Sequence, residues 1–95
     1  YTQRYTLSLH DALPIFHDAC GPHPYGVLTA AEREGIRLLA RTEGIVLDPV
    51  YTGRAFAHLA GLIRAGAFRP EETILFWHTG GLPGLLARSA DLLRE

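Results

Sequence analysis

The chain has 95 residues, of which 47% are hydrophobic and 20% are charged, and its formal net charge is -1. This length allows one small domain or a part of a larger one. The near-neutral charge argues against nucleic acid or an anionic membrane as a partner, because both favour a basic face. Arginine supplies all nine Lys+Arg positions, so the chain contains no lysine amine for Schiff-base chemistry.

The opening residues 1–16, YTQRYTLSLHDALPIF, show no sustained helical or strand period. Their apolar part is too short for a signal sequence or a membrane span. With suitable codons, residues 1–15 resemble a translated short-read sequencing adapter, most clearly over residues 6–15. We therefore predict that residues 1–16 form a disordered, adapter-like leader; the alternative is a natural N-terminal arm.

Residues 17–28, HDACGPHPYGVL, are rich in glycine and proline and predict a loop. Four side chains of ligand type occur here, but their spacing fits no familiar zinc pattern, and we expect no metal site. They are His17, Asp18, Cys20 and His23. A single cysteine cannot form an internal disulfide, so we expect a reducing, cytoplasmic location.

A helix is predicted over residues 30–43, since Thr29 and Glu32 have the spacing of a capping box and Gly44 can end the helix. We expect its buried positions to be Ile36, Leu39 and Ala40. The arginines at 33, 37 and 41 are expected to form a solvated edge.

Residues 45–47 predict a short strand, 54–66 a second helix, 73–77 a buried strand and 82–95 a final amphipathic helix. This alternation favours an α/β fold with a parallel sheet. Two strands cannot form such a sheet alone. The pattern therefore predicts the end of a larger α/β protein.

Polar and glycine-rich segments follow both predicted strands: DPVYTG at 48–53 and HTGG at 78–81. Strand-end loops of a parallel sheet meet at one edge, where ligands bind. Tyr51, Thr52, Thr79 and Gly80 are therefore candidate site residues. The simpler alternatives are that Tyr51 packs on the protein and that Thr79 only caps a helix.

Together with GP-x-x-YG at 21–26, the segments EGI-x-x-DPVYTG and HTGG resemble the C-terminal part of the D-cysteine desulfhydrase / 1-aminocyclopropane-1-carboxylate deaminase family. These are pyridoxal 5'-phosphate (PLP) enzymes of the tryptophan-synthase-β fold type. The resemblance implies that residues 17–95 are a C-terminal fragment of the enzyme domain. It further implies a small amino-acid substrate and a homo-oligomeric complete enzyme.

By the same resemblance, Tyr51 and Thr52 take catalytic positions, while Thr79 and Gly80 line the cofactor, with the Thr79 hydroxyl near the pyridine nitrogen. Deaminases carry Glu at position 52 and Leu at position 79. Threonine at both positions is typical of the desulfhydrases, which convert D-cysteine to pyruvate, sulfide and ammonia. The family usually has Lys where this chain has Arg54.

Because the chain has no lysine, we predict that it is inactive alone and exposes apolar faces that the rest of the enzyme covers. Two alternatives stay open. One is a fragment of a deaminase, or of another PLP lyase of the same fold. The other is a small, non-catalytic α/β module that binds an anion at HTGG.

Overall fold

A computed structural model describes residues 23–94. Over this range the chain forms four helices, namely α1 (Ala30–Glu43), α2 (Thr52–Arg64), α3 (Leu82–Ala87) and α4 (Ser89–Leu93). These residues contain no β-strand, so the predicted α/β fold is wrong and the described domain is all-helical. The predicted leader and the candidate ligands at 17, 18 and 20 lie outside the described residues.

The two predicted strands fail for a common reason, which is that their backbones have no ladder partner. Residues 45–47 lead directly into Asp48, whose N–H donates to the Thr52 hydroxyl (2.9 Å), and into Pro49, which has no N–H to donate. Residues 73–77 form no strand ladder within the described range. An apolar, β-prone run forms a strand only where a second backbone pairs with it.

Helix α1 forms as its sequence predicts. The Thr29 hydroxyl accepts from the Glu32 N–H (3.3 Å), and the Glu32 carboxylate accepts from the Thr29 N–H (2.8 Å). Gly44 ends the helix in the left-handed conformation at φ 67°, which glycine adopts without a steric penalty. Both ends of α1 are therefore fixed by residues adjacent in the sequence.

Glu32 also joins α1 to α2. Its second carboxylate oxygen accepts from Arg54 Nε at 2.6 Å, and both side chains are largely buried. Arg54 donates further to the Val27 carbonyl (3.3 Å). One carboxylate thus caps α1 and neutralises the cation in the first turn of α2.

The predicted final helix is broken into two at Arg88, where φ is -123° and ψ is 20°. Arg88 donates to the Gly26 carbonyl and pairs with Asp91 at 3.1 Å. Its side chain therefore connects the break to the loop before α1.

The prediction that the α1 arginines form only a solvated edge is wrong for two of them. Arg33 Nε donates to the Asp91 carbonyl (3.0 Å), and Arg37 donates to the carbonyls of Leu92 and Arg94. Carbonyls at a helix C-terminus lack partners within the helix and attract cations. These two arginines thereby hold α4 against α1.

The buried apolar core is small and consists of Ile36, Leu47 and Leu92. Five half-buried side chains surround it: Leu28, Leu39, Phe56, Phe76 and Leu85. Leu39 and Ala40 are half-buried rather than fully buried. None of the helices in the described range has the length and apolar character needed to cross a membrane.

Large apolar side chains remain exposed in and around the segment 73–77. Leu75 is 81% exposed and Trp77 is 76% exposed, whereas Phe76 between them packs edge-to-face on Phe56 with ring centroids 5.6 Å apart. Of the side chains in this segment, that of Phe76 packs towards the core and the others are exposed. Its exposed side is an apolar face that the described residues do not cover.

Candidate functional site

The two predicted loops lie against each other, although no sheet brings them together. We call residues 48–53 the DPVYTG loop and residues 78–81 the glycine turn. His78 Nε2 lies 2.9 Å from the Val46 carbonyl, just before the DPVYTG loop. A Cβ placed on Gly81 would lie 2.7 Å from the Asp48 carboxyl carbon. Only glycine therefore fits where the turn meets Asp48.

Asp48 lies at the centre of this contact and organises the start of α2. Its carboxylate accepts from the backbone N–H groups of Val50, Tyr51 and Thr52 at 2.7–2.8 Å and from the Thr52 hydroxyl at 2.7 Å. Of these N–H groups, that of Thr52 belongs to the first turn of α2, whose N–H groups have no partner within the helix. The positive end of the helix dipole is thus occupied by a carboxylate of the chain itself.

These hydrogen bonds determine the ionisation of Asp48, which is only 3% exposed. Burial raises the pKa of the carboxyl group, but the bonds from Thr52, Tyr51 and Val50 lower it by more, so the net pKa is below 3.8. Hydrogen bonds to the charged form of a group favour that form. Asp48 is therefore ionised across the physiological range and stabilises α2.

Thr52 is buried beside Asp48 and takes part in its network. Its hydroxyl accepts from the Asp48 N–H and donates to the Asp48 carboxylate. The single hydroxyl hydrogen is therefore already used within the chain. Its catalytic position stays a prediction, and its contacts in the structure stabilise the loop.

Tyr51 lies on the open side of the loop and is 65% exposed. Its hydroxyl shares a 2.5 Å hydrogen bond with the hydroxyl of Tyr25, and the two rings meet edge-on with centroids 6.3 Å apart. One of the two hydroxyl hydrogens lies between the oxygens. The other can be donated to an outside acceptor.

Tyr25 is a site residue that the sequence analysis did not assign, although it lies in the quoted GP-x-x-YG segment. The hydrogen bond with Tyr51 raises the pKa of Tyr25 above its ordinary value, and slight desolvation and electrostatic repulsion from Tyr51 and Asp48 act in the same direction. Tyr25 is thus protonated at neutral pH and orients the hydroxyl of Tyr51. No pattern in the sequence alone pairs two tyrosines 26 positions apart.

The glycine turn presents Thr79 and Gly80 at the surface. Gly80 has φ 103°, and no atom lies within 4 Å of the place where its Cβ would be. The Gly80 N–H donates to His78 Nδ1 at 3.0 Å. The turn is therefore open to an approaching group on the side of Gly80 and closed by Asp48 on the side of Gly81.

The predicted PLP site can be compared with the groups that these residues expose. Tyr51, Thr79 and Gly80 are exposed and can face a planar ring. The phosphate would need unpaired N–H groups, but those of the DPVYTG loop bind Asp48. Helix α3 has only six residues and carries Pro83 in its first turn.

Asp48 was missed as the organiser of the site, although its sequence carries a usable signal. An aspartate shortly before a helical pattern is among the strongest N-terminal caps. The comparison with known families adds no name to this arrangement: no family model matches the chain.

Proposed function

We propose that this chain supplies one wall of the cofactor pocket in a cytoplasmic PLP-dependent D-cysteine desulfhydrase. The observation that carries the proposal is the contact between the DPVYTG loop and the glycine turn, made through Asp48, Gly81 and His78. The two motifs on which the family resemblance depends therefore belong to one surface. They are separated by a helix and a connector in the sequence, and their contact makes one shared ligand possible.

Within this proposal, each exposed residue has a specific task. Thr79 places a neutral hydroxyl at the pyridine nitrogen, and Gly80 leaves room for the ring. Tyr51, oriented by Tyr25, presents its hydroxyl to the substrate. Bound PLP would supply the electron sink for the substrate's reacting carbon, while the protein supplies orientation and electrostatics.

The remainder of the pocket has to come from outside this chain. The absence of lysine and the occupied donors at the start of α2 mean that another polypeptide segment must provide the amine and hold the phosphate. The exposed apolar side chains Leu75 and Trp77 support this view, since such groups are normally covered. The chain alone is expected to be inactive.

Threonine at positions 52 and 79 favours the desulfhydrase over the deaminase. A glutamate at position 52 would bring a second carboxylate next to Asp48, which is buried and ionised. Like charges at such a distance repel each other. The present Asp48 network suits the neutral threonine hydroxyl.

Anion binding at the glycine turn is less well supported. The Gly80 N–H is donated to His78, and Pro83 in the first turn of α3 has no N–H. The turn also meets the Asp48 carboxylate, which repels an anion.

A chimeric enzyme tests the proposal directly. Residues 21–95 replace the corresponding C-terminal segment of an active D-cysteine desulfhydrase, and sulfide release from D-cysteine is measured. We expect PLP-dependent sulfide release above that of the enzyme lacking the segment. The Tyr51→Phe and Thr79→Ala variants should lose at least about tenfold in activity, equivalent to about 1.4 kcal/mol.

Thr42→Ala is the matched control, because the Thr42 hydroxyl binds only the Leu38 carbonyl of its own helix. It should leave the activity of the chimera unchanged. A chimera that binds PLP but deaminates 1-aminocyclopropane-1-carboxylate instead would support the deaminase. A folded chimera that binds no PLP would refute the proposal that this chain forms one wall of the PLP pocket.

We further propose that residues 1–15 derive from adapter DNA. Sequencing the source DNA across the codons for Ile15 and Phe16 tests this directly. Loss of the adapter-like codons from the native locus is expected, whereas an uninterrupted reading frame through them would overturn the assignment.

A further inference from the structure

The imidazole of His78 makes a hydrogen bond on each side, and its partners determine which nitrogen is protonated. The Gly80 N–H donates to Nδ1 at 3.0 Å, so Nδ1 must be unprotonated. The Val46 carbonyl, 2.9 Å from Nε2, can only accept, so Nε2 must carry the hydrogen. The observed geometry therefore requires the neutral ring with its proton on Nε2.

We propose that His78 is a positioning residue whose neutral ring joins the glycine turn to the segment before the DPVYTG loop, and whose protonation at Nδ1 releases the turn. A protonated Nδ1 is a donor and cannot accept from the Gly80 N–H. The bond from Nε2 to the Val46 carbonyl survives protonation. Only one of the two connections is therefore sensitive to pH, and the inference does not rest on the proposed cofactor.

The release acts on a stretch of backbone in a conformation that glycine, but few other residues, adopts readily. Gly80 and Gly81 have φ values of 103° and 108°, and the bond from Gly80 to His78 holds the first of them. Thr79 lies between His78 and Gly80, so its position depends on the same bond. Loss of that bond frees Thr79 to move, while Gly81 stays in contact with Asp48.

Few charged or titratable groups accompany the ring in the two segments that it joins. Within residues 45–51 and 77–81, Asp48 carries the charged side chain. The other titratable side chains in these two segments are those of Tyr51 and His78. Helix α3, LPGLLA, carries no titratable side chain. The lowered pKa of Asp48 keeps its charge constant while histidines titrate, and histidine ordinarily changes charge between about pH 5 and 8.

Nuclear magnetic resonance of the full isotope-labelled chain tests the inference. The ring nitrogens of His78, the amide of Gly80 and the carbonyl carbon of Val46 are followed from about pH 8 to 5. We expect the Gly80 amide to shift with the same midpoint as the His78 ring and its hydrogen exchange to accelerate. The Val46 carbonyl should keep its hydrogen-bonded shift throughout.

Two substitutions separate the two bonds. His78→Asn offers an oxygen in the place of Nδ1, so the Gly80 amide should stay bonded and become insensitive to pH. His78→Gln offers an N–H in the place of Nε2, so the Val46 bond should persist and the Gly80 amide should resemble its acidic state at every pH. His23→Asn, at an exposed histidine, is the control and should leave the wild-type titration intact.

The wild-type titration is sufficient if either variant fails to fold. A Gly80 amide that does not follow the His78 ring would overturn the inference. So would a Val46 carbonyl that titrates together with Gly80, or a His78 ring protonated on Nδ1 at neutral pH.

Discussion

The α1–α2 pair and the segment from residue 73 to α4 are stabilised in different ways. The first has buried polar side chains with several partners each: Glu32 contacts Thr29 and Arg54, and Asp48 accepts four hydrogen bonds. In the second, residues 73–77 form no strand ladder within the described range, and Leu75 and Trp77 are exposed. The candidate site lies where these two regions meet.

The difference shows that α1 and α2 are stabilised by hydrogen bonds of their own residues, whereas the later segment is stabilised by its packing on them. Local capping and one buried ion pair fix α1 and α2 relative to each other. The later segment is held by Phe76 on Phe56, by the glycine turn on Asp48 and by the α1 arginines on α4. Substitutions at these points should therefore lower the free energy of unfolding by different amounts.

Loss of Glu32 should have the largest effect. Glu32→Ala removes the carboxylate that caps the Thr29 N–H and leaves the buried guanidinium of Arg54 without it, so we expect a loss of about 3 kcal/mol in the free energy of unfolding. Urea denaturation followed by circular dichroism measures it. Glu34→Ala breaks the exposed pair with Arg64 and should cost less than about 0.5 kcal/mol. Equal losses would show that Glu32 does not organise the helix pair.

The contact between the two loops can be isolated with adjacent glycines. Gly80→Ala and Gly81→Ala meet similar backbone strain, since φ is 103° and 108°. Only Gly81 faces Asp48, so its alanine variant should be less stable by a further ~2 kcal/mol. Thermal denaturation of both variants gives the difference, and equal stabilities would contradict the contact.

Leu75 and Phe76 are neighbours whose side chains are covered to different extents, so truncating them should have unequal effects on stability. Phe76→Ala removes the half-buried ring that packs on Phe56, and we expect a loss of about 2 kcal/mol. Leu75→Ala shortens a side chain that is 81% exposed and should change stability by less than about 0.5 kcal/mol. The reverse order in urea denaturation would mean that the segment presents its other side to the core.

A smaller effect is expected from acid. Because the pKa of Asp48 is lowered in the folded state, the unfolded chain binds more protons, and stability falls as the pH drops below about 3.9 and through the folded pKa. Asp48→Asn should be less stable at neutral pH and lose less of its stability on acidification. Denaturation between about pH 6 and 3 checks both statements. An unchanged acid dependence would place the responsible carboxyl group elsewhere.

The sequence predicted correctly those features that depend on interactions between residues close together in the chain. Thr29, Glu32 and Gly44 predicted α1 correctly, since a capping box and a left-handed terminal glycine act within a few residues. The second helix was found as well, although it begins at Thr52 rather than Arg54. Its true start depends on the Asp48 cap, which the periodicity of apolar residues does not reveal.

The predicted strands were wrong because a strand is defined by its partner. Residues 45–47 and 73–77 have the apolar, β-branched character of strands, but in the described range no backbone pairs with them. The final helix was predicted whole and is interrupted at Arg88, whose guanidinium binds Gly26 sixty-two residues earlier. Contacts at such separations leave no local pattern.

The sequence by itself determined the caps of α1, the presence of α2 and the absence of lysine, because each depends on residue types or on neighbours within one or two helical turns. The meeting of Tyr51 with Tyr25, of His78 with Val46 and of Gly81 with Asp48 was decided by tertiary structure. These contacts join residues 26 to 33 positions apart, and their geometry is fixed by how the helices and loops pack around Asp48.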